Sequence, residues 1–180
     1  MKALFVLFAF VFAGLVSFEA QAQTPSRVAT VISGKLARAG SSNRKAYDDK
    51  ALKSLCEQGY TLAIYVYPGA KNRTVSCSRG SIEYVGMKGW TNPTAIVSRI
   101  ESEARAGGKT VVHCWYGVHA SNFVTAYALN KMCGFSGSEA ASYFRSHVPR
   151  GSLAQSRIDD MAAKLERLSS SGGGYSGCPN

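Results

Sequence analysis

The stretch from Thr110 to Ser121 (TVVHCWYGVHAS) constrains the fold of this 180-residue chain more than any other segment. Three β-branched residues, Thr110 to Val112, predict a short buried strand, and a helical pattern begins at Ser121. The loop between them contains Gly117. A loop that joins a buried strand to a helix N-terminus gathers backbone N–H groups and the positive end of the helix dipole at one point. The sequence therefore predicts an anion-binding loop behind a short strand.

Cys114 is the first residue of this loop and directly follows His113, which itself follows the β-branched run. Thiol pKa values fall to about 3.5–7.5 close to helix N-termini and cations, and the thiolate is the reactive form. A thiolate beside a bound phosphate is placed to attack phosphorus. The alternative is a buried structural cysteine, which is the usual role of a free cysteine.

The segment His113-Cys114, six further residues and Ser121 resembles the phosphate-binding loop of the cysteine-dependent tyrosine and dual-specificity phosphatases. The signature of that family is His-Cys, five residues, Arg, and then Ser or Thr. The resemblance implies that Cys114 is the nucleophile, that His113 holds the loop and activates the thiol, and that Ser121 eases departure of the thiolate. It also implies that backbone N–H groups of the intervening loop bind the phosphate. The residues of that loop are Trp115, Tyr116, Gly117, Val118, His119 and Ala120.

Two catalytic groups of the family pattern are missing. Ala120 occupies the position of the signature arginine, which grips phosphate with a pair of charged hydrogen bonds. The segment from Gly86 to Pro93, where the family has its general acid, contains no carboxylate, and Glu83 just before it is the only candidate. We therefore expect a phosphatase-fold protein that binds a phosphorylated ligand and has lost most or all turnover. The alternative is an active phosphomonoesterase with a substitute cation. The candidates for that cation are His119, Arg145 and Arg150.

The order of predicted elements indicates an α/β fold in which a single central sheet is flanked by helices. It is similar to the tyrosine/dual-specificity phosphatase layout from Lys35 to Leu168, and the opening of that range resembles the bacterial, phytase-like members. Strands are predicted over 27–33, 35–40, 60–67, 74–77, 81–85 and 110–112. Helices are predicted over 92–105, 121–132, 136–146 and 153–168, with a further helix over 47–58.

The N-terminal segment predicts export. Lys2 is followed by an apolar run from Ala3 to Val16 and by small residues up to Ala22, which is the pattern of a cleaved secretory signal peptide. The run is shorter than the roughly 20 residues that a membrane span requires. We expect a signal peptide over 1–22, a phosphatase-like domain over 27–168 and a flexible tail over 169–180. The mature protein is expected in the periplasm or outside the cell, without a transmembrane segment.

Charge and cysteine content indicate the partners. The formal net charge of +10 favours a phosphorylated or polyanionic ligand, such as an inositol phosphate or a phosphoprotein, and nucleic acid is not the expected partner.

Five cysteines leave at least one thiol unpaired. The loop argument assigns that state to Cys114 and leaves the pairing of the others open. Those others are Cys56, Cys77, Cys133 and Cys178.

A third functional class uses the same thiol differently. In an exported protein, Cys114 is also a candidate for redox or disulfide chemistry in the cell envelope. The chain has no Cys-x-x-Cys motif, so a zinc ribbon and a thioredoxin-type centre are not indicated. We expect neither a metal nor a cofactor, and the sequence leaves the oligomeric state open.

Overall fold

A computed structural model describes residues 24–170 and 173–179. The predicted signal peptide, residues 1–22, lies outside this range. Within the described residues, six strands form one mixed sheet and five helices flank it, so the predicted fold class is confirmed. No helix in this part of the chain is long and apolar enough to cross a membrane. The strands are β1 (Pro25–Ile32), β2 (Leu36–Ser41), β3 (Leu62–Tyr65), β4 (Arg73–Cys77), β5 (Gly80–Gly86) and β6 (Thr110–His113). The helices are α1 (Asp49–Glu57), α2 (Thr94–Arg105), α3 (Ala120–Cys133), α4 (Gly137–Ser146) and α5 (Gln155–Glu166).

The strand order β1-β2-β6-β3-β5-β4 places β6 in the middle of the sheet. Strands β2, β6, β3 and β5 run parallel, whereas β1 and β4 pair antiparallel at the two edges. Every residue of β3 and β6 is buried, which agrees with their short apolar sequences. Because parallel strands end at the same edge of a sheet, Ser41, Tyr65 and His113 bring their following loops together there. Ligand sites of α/β proteins commonly form at this edge.

Alternation along β6 divides its side chains between two cores. Val111 packs with α1 on one face of the sheet, where the core includes Leu52 and Leu55. Val112 and then Cys114 belong to the opposite core, which is formed with α2 and α3. The thiol therefore lies on the face that α3 covers.

Helix ends follow the local sequence in two places. Ser136 and Glu139 form a capping box at the start of α4, and the Asp48 side chain accepts from the N–H of Ala51 at the start of α1. In helix α2, Pro93 is the N-cap and no side chain caps the helix.

Two disulfides, Cys56–Cys77 and Cys133–Cys178, leave Cys114 as the free cysteine. This pattern agrees with an oxidising, exported location. Within the C-terminal segment, Cys178 is bonded to Cys133 at the end of α3, and the Ser33 N–H donates to the Gly177 carbonyl at 2.8 Å.

Candidate functional site

The predicted loop lies at the carboxyl edge of the sheet and runs from Cys114, after β6, to Ser121, the second residue of α3. We call residues 114–121 the Cys114 loop. Gly117 takes a positive φ of 75°, which an L side chain adopts only with strain, so glycine fits the turn there. All of the predicted site residues lie on this loop or, for His113, directly before it.

Strand β2 supports the loop from one side. The N–H of Ser41 donates to the Trp115 carbonyl at 3.1 Å, and the Arg38 Nη1 donates to the Gly117 carbonyl at 2.7 Å. The two backbones meet at a pair of glycines. A Cβ on Gly40 would lie 2.7 Å from the carbonyl carbon of Tyr116, and one on Gly117 would lie 2.6 Å from the Gly40 nitrogen. Side chains at either position would therefore push the loop away from β2.

Two groups contact the sulfur of Cys114. The Gly117 N–H donates to Sγ at 3.2 Å, and the Ser121 hydroxyl lies at the same distance of 3.2 Å, where either the hydroxyl or the thiol can be the donor. The hydroxyl also lies 3.5 Å from the Ala39 carbonyl. The cysteine is only 1% exposed, so these contacts form in a nearly dry environment. Both the N–H and the hydroxyl are able to donate to a negative charge on sulfur.

The N-terminus of α3 points at the loop without a cap from the protein. His119 is the N-cap residue, and no side chain accepts a hydrogen bond from the first turn of the helix. The first three helical residues, Ala120, Ser121 and Asn122, are fully buried. The free N–H groups and the positive end of the helix dipole are therefore available to an anion in the loop.

His113 is fully buried on the other face of the sheet. Its ring stacks on Tyr47 with centroids 3.7 Å apart, and its Nε2 lies 3.0 Å from the Tyr84 hydroxyl. Burial lowers the pKa of His113 from 6.5 to about 3, with a small opposing effect from a backbone contact to Cys114. The ring is neutral near pH 7, so it adds no positive charge beside the thiol. Its contacts fix the end of β6 and hence the start of the loop.

This burial predicts a pH dependence of stability. His113 binds a proton near pH 6.5 in the unfolded chain but only near pH 3 in the folded chain. The free energy of unfolding therefore falls as the pH drops from 6.5 to about 3. We expect wild type to lose up to about 1.4 kcal/mol per pH unit more than His113→Gln. Urea unfolding of both proteins at pH 6.5, 5.5 and 4.5 measures this difference. Parallel losses in the two proteins would show that His113 is not the titrating group.

The predicted substitute cations contact groups other than the thiol or line other cavities. Arg145 pairs with Glu166 at 2.8 Å, and Arg150 lines a separate cavity beside it. His119 Nε2 lies 3.0 Å from the Ser152 hydroxyl. Burial, followed by the nearby Arg27 charge, lowers the pKa of His119, so it is a weak source of positive charge.

Glu83, the only candidate for the general acid, is also placed elsewhere. Its carboxylate accepts from Arg99 Nη2 at 2.6 Å. In the parallel register it stands opposite Leu62, at the start of β3, whereas the loop follows the far end of the strands. Glu83 therefore stabilises the outer part of the fold and does not reach the Cys114 loop.

The open side of the loop is aromatic and basic. Trp115 is 44% exposed and Tyr116 is 38% exposed, and with Trp90 they wall a cavity of about 250 Å³ that Arg157 also lines. No carboxylate is among the residues that line this cavity. Arg44 lies over the Tyr116 ring, 4.8 Å from its centroid. A ligand above the loop would therefore meet cations and aromatic rings.

Three cations beside the loop were not predicted from the sequence. Arg27 lies on β1 and lines a second cavity with Tyr116, Arg44 follows β2, and Arg157 lies in the first turn of α5. All three are far from the signature in sequence. The pairing of β1 with β2 brings Arg27 and Arg44 to the loop, and the packing of α5 brings Arg157 there. In the described residues, no cluster of His, Cys, Asp and Glu is arranged to hold a metal ion.

Solved structures of tyrosine and dual-specificity phosphatases share this fold. Human DUSP28 is 18% identical, with a TM-score of 0.53 over 81% of this chain and 96% of its own. TpbA of P. aeruginosa is 10% identical, with a TM-score of 0.52 over 83% of this chain and 92% of its own. PTPMT1, solved in complex with PI(5)P, is 14% identical, with a TM-score of 0.51 over 76% of this chain and 95% of its own. No protein-family model and no curated protein sequence matches the chain. At these identities the likeness establishes the fold alone.

Proposed function

We propose that this protein binds a phosphorylated or polyanionic ligand in the Cys114 loop and turns it over slowly or not at all. One observation carries the proposal: the loop has the groups that would bind an oxyanion and lacks those that would hydrolyse its ester. Gly117 and Ser121 face the sulfur, whereas position 120 is a fully buried alanine.

The binding half of the proposal rests on charge and on backbone donors. The uncapped N-terminus of α3 supplies N–H groups, and Arg27, Arg44 and Arg157 surround the aromatic side of the loop. Such a setting attracts a ligand with several negative charges, because cations at a cleft raise the local concentration of anions. The PI(5)P complex of PTPMT1 is an example in which this fold binds a phosphorylated inositol ring.

The lost-turnover half rests on two absences at the site. Removal of one preorganised donor from an oxyanion site costs on the order of 10²–10³ in rate. A general acid typically contributes a further 10²–10⁴. The Ala120 side chain supplies no donor, and Glu83 is paired with Arg99 away from the loop. Cys114 with Ser121 alone would give little hydrolysis of an unactivated ester.

Arg157 supports the alternative of a working phosphomonoesterase. Its side chain lines the cavity beside Trp115 and Tyr116 and makes no ion pair with a described residue. It is therefore the first candidate for a substitute cation. A redox role finds less support, because the four other cysteines are paired with each other and leave Cys114 without a thiol partner.

We place the protein in the periplasm or outside the cell, after cleavage of residues 1–22. The two disulfides support that location because they persist in oxidising compartments.

Calorimetry with three ligands tests the proposed function. We expect inositol hexakisphosphate to bind more tightly than a phosphotyrosine peptide or inorganic phosphate, because it carries several times as many negative charges as either of them. Binding should weaken steeply as salt is raised. Arg27→Gln with Arg44→Gln should weaken inositol hexakisphosphate binding. Arg79→Gln is the matched control, because the β4–β5 turn lies at the opposite end of the sheet. No heat with any ligand at low salt would refute the binding function.

A further inference from the structure

Arg38 is a buried cation without a carboxylate partner. It lies on β2 and is 7% exposed, and none of the ion pairs within the described residues includes it. Its Nη1 donates to the Gly117 carbonyl, whereas its buried Nε has no partner among the described residues. A buried charge is costly unless a counter-charge and hydrogen bonds compensate it. The surroundings of Arg38 therefore favour a negative charge close by.

The register places this cation on the same face as the thiol. Arg38 pairs with Val112 in the parallel β2–β6 ladder. Val112 and Cys114 belong to the core that α3 covers, and so does Leu36, two residues before Arg38. Because side chains two apart on a strand point to the same side, Arg38 extends toward that face and reaches the loop at Gly117.

The hydrogen bond to Gly117 also orients the next peptide group. In a trans peptide the C=O and the N–H point in opposite directions. When Arg38 holds the Gly117 carbonyl toward β2, the Val118 N–H of the same peptide is turned away from β2, to the inner side of the loop. Ser41 acts on the Trp115 carbonyl in the same way and turns the Tyr116 N–H.

We propose that Arg38 is a positioning residue of the anion site: it turns the Val118 N–H inward and supplies a buried positive charge behind the loop, where Ala120 supplies none. This inference rests on the proposed function of the Cys114 loop. The negative charge that Arg38 compensates is the bound oxyanion.

Three variants test this role of Arg38. Arg38→Gln keeps a hydrogen-bond donor but removes the charge, and Arg38→Lys keeps the charge. Arg79→Gln is the control, because it removes one positive charge at the opposite end of the sheet. Calorimetry with inorganic phosphate, on variants with native circular dichroism, should show at least tenfold weaker binding for Arg38→Gln. Arg38→Lys should be weakened less but measurably, and Arg79→Gln should equal wild type. A purely structural role would lower stability and leave the affinity of the folded protein unchanged.

A second readout is the protection of Cys114 by bound phosphate. Phosphate should slow the alkylation of Cys114 by iodoacetamide in wild type, and Arg38→Gln should need at least tenfold more phosphate for the same protection. If wild type binds phosphate and Arg38→Gln matches it in affinity and in protection, this inference is wrong and the proposed function stands. If wild type binds none of inositol hexakisphosphate, the phosphotyrosine peptide and inorganic phosphate, the proposed function fails and the Arg38 role fails with it. Should Arg38→Gln not fold, an Arg38→Lys protein equal to wild type in both readouts would contradict the inference.

Discussion

Ala120→Arg should raise the hydrolysis of a generic aryl phosphate on the order of 10²–10³ over a wild type with little or no turnover. The thiol, the Ser121 hydroxyl and the Gly117 N–H already stand around one point, so the guanidinium adds the missing two-pronged grip on the phosphoryl oxygens. A continuous assay of nitrophenol release measures the gain.

The restoration should be incomplete for two reasons. Ala120 is fully buried, so the longer side chain must displace packed atoms before it reaches the loop. No general acid is present, so an aryl phosphate with a good leaving group should respond more than an alkyl phosphate. Ala120→Met is the control for bulk without charge. Adding Cys114→Ser to Ala120→Arg should abolish the gain.

Two outcomes would contradict this account. Substantial wild-type activity that Cys114→Ser abolishes would establish the alternative, an active phosphatase, and Arg157→Gln would then test the substitute cation. A folded but inert Ala120→Arg protein, beside an inert wild type, would show that the loop cannot support the chemistry even with its arginine.

Gly40→Ala should weaken ligand binding about 10²-fold, although Gly40 touches no ligand. The added Cβ would lie 2.7 Å from the backbone carbon of Tyr116, so the loop must move away from β2. A displacement of about 1 Å at a positioned site costs on the order of 10² in reaction rate, and we expect a similar loss of affinity because the same loop groups bind the phosphate. Calorimetry with inositol hexakisphosphate measures the loss.

Gly34→Ala is the matched control for this prediction. This variant makes the same glycine-to-alanine change at a positive φ of 67°, but the added Cβ would have no atom within 4 Å. It should lower the free energy of unfolding by about 1 kcal/mol and leave binding unchanged. Equal affinities for Gly40→Ala and wild type would mean that β2 does not set the shape of the loop.

Local sequence was sufficient for the strand, the loop and the helix that carry the site. The β-branched run of β6 predicts burial, and Gly117 marks the turn. The free state of Cys114 was also predicted, because the odd number of cysteines leaves one thiol and the loop argument assigned that state to Cys114. The strand, the loop and the helix depend on neighbouring residues alone.

The rest of the site depends on pairing between distant segments. Arg38 reaches Gly117, which lies 79 positions later in the chain, because β2 lies beside β6 in a parallel ladder. Arg157 arrives from α5, whose direction no local pattern sets. The ion pair of Glu83 with Arg99 of α2, which holds this carboxylate away from the loop, also could not be predicted from local sequence.

Phosphorus-31 NMR of a phosphotyrosine peptide mixed with the wild-type protein tests the central claim most directly, because one spectrum reports both binding and hydrolysis. The account predicts that the peptide resonance shifts and broadens as protein is added, that Arg79→Gln behaves alike, and that no inorganic phosphate accumulates over many hours. A growing inorganic phosphate signal that Cys114→Ser removes would contradict it. So would peptide and inositol hexakisphosphate resonances that both stay unchanged when the protein is added at low salt.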